Sequence, residues 1–134
     1  MHASPRHLLA CACFFLALAC ALACGVVAPG IRDVTQDQVV AWIEQGEAPL
    51  LLDVRTPEEY AAGHVPGALN IPHDQLAARL AELEDRRGQE VVVYCESGRR
   101  AAHAAETLGG AGFEELRHLT GDMAGWRHAG LPTE

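Results

Sequence analysis

The 134-residue chain contains no lysine, and its ten basic residues, all arginine, stand against 18 acidic ones for a net charge of -8. A surface of that sign argues against a nucleic-acid partner, whose phosphates require a positive footprint. Aromatic residues make up only 5% of the chain. With the many Ala, Gly and Arg residues, this is as readily a trace of genome base composition as of physics, and it carries no functional weight. Four of the five cysteines, Cys11, Cys13, Cys20 and Cys24, precede residue 25, which leaves Cys95 alone in the remainder. That placement excludes a disulfide framework for the folded domain. The seven histidines lack ligand-like spacing, so no metal site is expected. There is neither a low-complexity segment nor an internal repeat, and the length allows one domain plus an appendage.

The appendage is residues 1–30. Arg6 and two histidines precede a stretch from Leu8 to Ala23 without charged or strongly polar side chains, followed by Gly25 and a Pro29-Gly30 break. That is the layout of a secretory signal. Ala17-Leu18-Ala19 before Cys20 and Ala21-Leu22-Ala23 before Cys24 are both small-residue cleavage sites, and each would leave a cysteine at the new N-terminus. Cys20 and Cys24 are therefore lipidation candidates, with Ala17 or Ala21 where a lipoprotein signal usually has Leu. Uncleaved, Leu8 to Ala28 matches the ~20 residues that cross a bilayer as a helix. Lipoprotein, cleaved soluble protein and N-terminal anchor all remain open. Each places the domain outside the cytoplasm, and the first and last tether it to a membrane, as in a bacterial periplasm.

From Ile31 to Glu134 short apolar runs alternate with amphipathic stretches, the pattern of an α/β domain. Thr35 with Gln38 forms a capping box for a helix through Trp42 to Gln45, and Leu50-Leu51-Leu52 reads as a buried strand continuing to Val54. Thr56-Pro57-Glu58-Glu59 starts another helix, with Thr56 at the cap, Pro57 in the first turn and Glu59 closing a second capping box. A short strand over Ala68 to Ile71 stops at Pro72. Leu76, Leu80 and Leu83 recur at helical spacing until Arg86-Arg87-Gly88, and Val91-Val92-Val93-Tyr94 is a strand buried between helix layers. A helix over Ala101 to Leu108 is expected to stop at Gly109-Gly110. A strand over Leu116 to Leu119 and a helix over Met123 to His128 close the domain. The alternation predicts a parallel five-stranded sheet with helices on both faces. Trp42 and Trp126 fit packing of those helices.

Cys95 follows the buried strand directly and leads into the turn Cys95-Glu96-Ser97-Gly98-Arg99-Arg100, the position where open α/β sheets place ligands. Gly98 lets the backbone curl so that successive N–H groups point inward at an anion, and the following helix adds its partial positive charge. Lowering a cysteine pKa from about 8.5 toward neutrality makes it a nucleophile, and helix N-termini with nearby arginine do so. Arg99 and Arg100 supply that charge and suit the oxygen pair of a sulfonate or phosphate, while Glu96 opposes them. A buried cysteine acting as a small hydrophobe is the alternative, but it requires neither the glycine nor the arginines.

From about Val34 to Pro132 these residues resemble the rhodanese family. Leu52 to Tyr60 is similar to its first signature, Gly63-His64-Val65-Pro66-Gly67-Ala68-Leu69-Asn70-Ile71-Pro72 to its second, and Cys95 to Arg100 to its active-site loop. Leu119 to Trp126 is similar to its closing segment, with Asp122 where a second glycine is common. The resemblance implies a sulfurtransferase. On that resemblance Cys95 would take sulfane sulfur from a small anionic donor such as thiosulfate and pass it, as a persulfide, to cyanide or a thiol. Glu96, Ser97, Gly98, Arg99 and Arg100 would form the substrate loop, with Ser97 where some members carry a basic residue. No cofactor or metal is implied. Asp53 and Arg55 are expected to tie the strand end to neighbouring loops, Glu59 to lie near the mouth, and His64 to hold its loop by a hydrogen bond.

Two other readings use the same loop. Cysteine phosphatases and arsenate reductases place an arginine six positions after the nucleophile. Here that residue is Ala101, and Arg100 falls one position early. Rhodanese-like binding modules have lost the cysteine, which this chain keeps, whereas a sulfur carrier that delivers its persulfide to a partner protein fits every residue discussed.

Overall fold

A computed structural model describes residues 30–134. Cys20, Cys24 and the apolar stretch before Pro29 lie outside the described residues. Five strands alternate with helical segments: β1 (Arg32–Val34), α1 (Gln36–Gln45), β2 (Leu50–Asp53), α2 (Pro57–Ala61), β3 (Leu69–Asn70), a 3-10 segment (Leu76–Arg86), β4 (Val91–Tyr94), α3 (Arg99–Gly110), β5 (Leu116–Leu119) and α4 (Asp122–His128). The strands form one sheet in the order β1-β5-β4-β2-β3. Every pairing in it is parallel. The predicted five-stranded α/β architecture is therefore the one observed.

Both expected capping boxes are formed. Thr35 accepts from the Gln38 amide and Thr56 from that of Glu59, while each N3 side chain reaches back to the cap's own N–H. These contacts satisfy donors that the first helical turn leaves without partners. The sheet divides the apolar residues by strand alternation. Leu52, Val91, Val93 and Cys95 face one layer with Leu76, Leu83, Ala101 and Leu108. Leu51, Val92 and Tyr94 face the other with Val39, Met123 and Trp126. All four residues of β4 are fully buried, as expected of a central strand covered on both sides.

Three details differ from the sequence reading. The Leu76 to Leu83 segment winds as 3-10 turns instead of an α-helix. Its ion pairs Arg79–Glu82 and Glu84–Arg87 stand three residues apart, the spacing that three residues per turn brings into line. β3 is only two residues long. Finally, α3 runs through Gly109 and Gly110 and reverses at Gly112, where φ is +92° and the Phe113 amide returns to the Leu108 carbonyl at 3.1 Å. Burial of Phe113 pulls the chain back into the core. That tertiary gain outweighs the weak helix preference of two glycines.

A Cβ on Gly109 would meet nothing within 4 Å. Gly109→Ala is expected to raise stability by about 0.5–1 kcal/mol, seen as a higher urea midpoint at unchanged slope. An unchanged or lower midpoint would contradict a helix running through this position.

Candidate active site

β4 delivers Cys95 to the carboxyl edge of the sheet, where its side chain is 1% exposed. Among the described residues it is a free cysteine. The chain then turns through Gly98, with φ +102°, a left-handed conformation that a side chain would strain. That turn brings the Gly98 amide to 3.0 Å from Cys95 Sγ, to which it donates. α3 begins at Arg99 immediately beyond, so its first-turn amides lie at the same end of the sheet. From the other side α4 grips the loop: the Met123 amide donates to the Cys95 carbonyl at 2.9 Å and that of Ala124 to the Glu96 carbonyl at 3.1 Å.

Of the two arginines predicted to charge this loop, Arg100 is already partnered. Arg100 makes a bidentate pair with Glu59, at 2.6 and 2.8 Å. Glu59 also accepts from the Thr56 amide, so one carboxylate caps α2 and holds the first turn of α3. The hydrogen bonds from Arg100 bring the Glu59 carboxyl down to about 2, despite partial burial. Arg100 is raised in turn, first by its bonds to Glu59 and also by the Cys95 sulfur it faces. Glu96 lies against Arg127 and stands 3.6 Å from Arg55 Nη1, so its charge is answered locally instead of opposing the loop. Arg99 and Ser97 are exposed. The expectation of two free arginines thus becomes one exposed at the rim and one braced beside the sulfur.

Asp53 and Arg55 are both buried. Arg55 donates through Nε to Asp53 Oδ1 at 3.0 Å, and through Nη2 to Asp53 Oδ2 at 2.7 Å and to the Gly63 carbonyl at 2.8 Å. The Asn70 amide bridges the carbonyls of Asp53 and Arg55, both at 3.0 Å. His64 Nδ1 donates to the Tyr60 carbonyl at 2.9 Å, and its ring stacks on that of Tyr60. Through these contacts Arg55 reaches the Gly63 loop and His64 the end of α2.

The sequence reading missed the groups beneath the loop. Asp122 is 2% exposed and accepts the Cys95 amide on Oδ1 at 2.9 Å. Its Oδ2 lies 3.0 Å from His118 Nε2, and His118 Nδ1 lies 3.3 Å from Asp33 Oδ1. Asp122 has φ +52°, left-handed backbone in a non-glycine residue. The replacement of a usual glycine by Asp was the one available signal. His118 is raised above 6.5, first by its hydrogen bond to Asp122.

Residues 35–129 match the Rhodanese-like domain family. The chain therefore belongs to that family. It is 32% identical over 102 residues to a sulfurtransferase of Allochromatium vinosum, a match covering 76% of this chain and 94% of the relative. An uncharacterized protein of Synechocystis sp. is 36% identical over 91 residues, or 68% of this chain, which spans only half of that relative's length. Among solved structures, a human single-domain sulfurtransferase superposes with a TM-score of 0.64 at 30% identity, covering 74% of this chain and 97% of the other.

Removing one member of a buried ion pair strands the other's charge, so Asp53→Ala is expected to cost about 3–5 kcal/mol. Pairing Asp53→Leu with Arg55→Met should cost less than Asp53→Ala alone in urea unfolding. Arg100→Ala affects a partly exposed pair and is expected to cost about 0.5–1 kcal/mol at pH 6. A depressed carboxylate stabilises above its ordinary 4.5 and loses that contribution as pH falls toward about 2. The Arg100→Ala deficit should therefore fade across that window in urea midpoints taken at several pH values.

Proposed function

We propose that this domain is a sulfurtransferase in which Cys95 is the nucleophile. The observation that carries the proposal is the Gly98 amide aimed at Cys95 Sγ from 3.0 Å, at the head of α3. Amides and a helix N-terminus so placed favour an anionic sulfur. Membership of the Rhodanese-like domain family and the sulfurtransferase relatives support sulfur transfer as the reaction class. In detail, the Cys95 thiolate attacks the sulfane sulfur of thiosulfate. The sulfur–sulfur bond of the donor breaks with its electron pair leaving on sulfite, and a Cys95 persulfide remains. Cyanide or a thiolate then attacks the outer sulfur, leaving as thiocyanate or a new persulfide and restoring the Cys95 thiolate. Exposed Arg99 serves the incoming anion. Arg100, held by Glu59, contributes positive charge beside the sulfur.

The N-terminal sequence supports placing this chemistry outside the cytoplasm, in a protein lipidated at Cys20 or Cys24, anchored through an uncleaved Leu8 to Ala28, or cleaved and soluble. A phosphatase-like reading is disfavoured because the sixth position after Cys95 is Ala101 and Arg100 is engaged by Glu59.

Intact-mass spectrometry of the protein before and after thiosulfate tests the reaction. A gain of one sulfur, about 32 Da, that cyanide removes and Cys95→Ser lacks is the expected result. No gain with thiosulfate or any other sulfane donor would reject sulfur transfer through Cys95.

A further inference from the structure

Asp122 occupies a position with two costs. Its left-handed backbone, φ +52°, disfavours any side chain by roughly 1 kcal/mol relative to glycine, and its carboxylate is buried beneath an anion-favouring loop. The contacts show what the side chain does there. Oδ1 takes the Cys95 amide, and Oδ2 packs under the Gly98 turn, 3.0 Å from where a Cβ on Gly98 would stand, with the His118 ring 3.5 Å from the same point. Both ring nitrogens of His118 face carboxylate oxygens, Asp122 of α4 on one side and Asp33 of β1 on the other. A neutral imidazole carries one N–H and leaves the other nitrogen presenting a lone pair to a carboxylate. Only the imidazolium donates to both.

We propose that Asp122 and His118 are positioning residues for Cys95, with the Asp122 carboxylate fixing the backbone of the sulfur-bearing loop and the His118 imidazolium cancelling the charge that this brings beneath the sulfur. The inference rests on Cys95 being the reacting group. It adds a pH-sensitive element to that site. The charged groups that face His118 are Asp33 and Asp122, and across the loop Cys95 faces Arg100, which is also paired with Glu59. His118 exchanges protons with solvent through a surface pocket of about 150 Å³ that it lines with Ile31, Gly98 and Ala102. When pH rises through its elevated titration, the Asp122 charge is left uncompensated and opposes the thiolate.

Iodoacetamide alkylation of Cys95 reads this without any sulfur transfer. His118→Gln keeps a donor to Asp122 but loses the charge, and is expected to slow alkylation at pH 6 by roughly three- to tenfold. Adding Asp122→Asn, which retains an acceptor for the Cys95 amide and removes the negative charge, is expected to restore the rate to within twofold. A wild-type rate in His118→Gln, or a double variant as slow as the single, would overturn the proposal, the second outcome assigning His118 a packing role. Should His118→Gln not fold, the unaltered protein decides the matter. The pH profile of alkylation must carry an inflection that coincides with the NMR titration of the His118 ring, and its absence overturns the proposal. Persulfide formation followed by mass on the same samples keeps the two readings apart. Alkylation can behave as expected even where no donor loads the cysteine.

Discussion

The central strand β4 is the constraint on which the rest of the structure depends. It pairs with β2 on one side and β5 on the other, and both its faces are covered, so no residue of it reaches water. Its side chains must alternate between two apolar layers. Val91, Val93 and Cys95 enter the layer beneath α3, while Val92 and Tyr94 enter the layer beneath α1 and α4. A slip of one residue would exchange the layers and turn the sulfur away from α3. The position of Cys95 is thus set by the burial of four residues that have no chemistry of their own.

What happens beyond the strand is decided by hydrogen bonds between segments distant in sequence. The loop carbonyls of Cys95 and Glu96 are taken by amides of α4, the Cys95 amide by the Asp122 carboxylate, and the head of α3 by Glu59 of α2. Two helices, α2 and α4, therefore brace a loop of very few residues and the helix that follows it. In the proposed reaction little rearrangement of its dipoles is needed as charge develops on sulfur, the condition under which preorganised amides stabilise an anion best.

The charges around the loop follow the same economy. In a chain of net charge -8, arginines are concentrated here, yet Arg55, Arg100 and Arg127 each have a carboxylate partner. The buried Asp53–Arg55 pair braces the neighbouring loops. Arg99, exposed at the rim, is left to face solvent anions. Pairing keeps buried charge from destabilising the domain.

The sequence by itself determined the alternation of strands and helices, both capping boxes, the burial of Val91 to Tyr94 and the place of Cys95 before a glycine turn. These rest on local propensity and period, which neighbours in sequence carry. Only the tertiary structure decided that Arg100 is spent on Glu59, 41 residues away, and that Asp122 reaches the Cys95 amide from 27 residues away. It alone brought His118 between Asp33 and Asp122. The continuation of α3 through Gly109 and Gly110 was decided in the same way, by a buried Phe113 overriding local preference. Contacts of that range depend on how the layers close over the sheet, and no pattern of neighbouring residues encodes them.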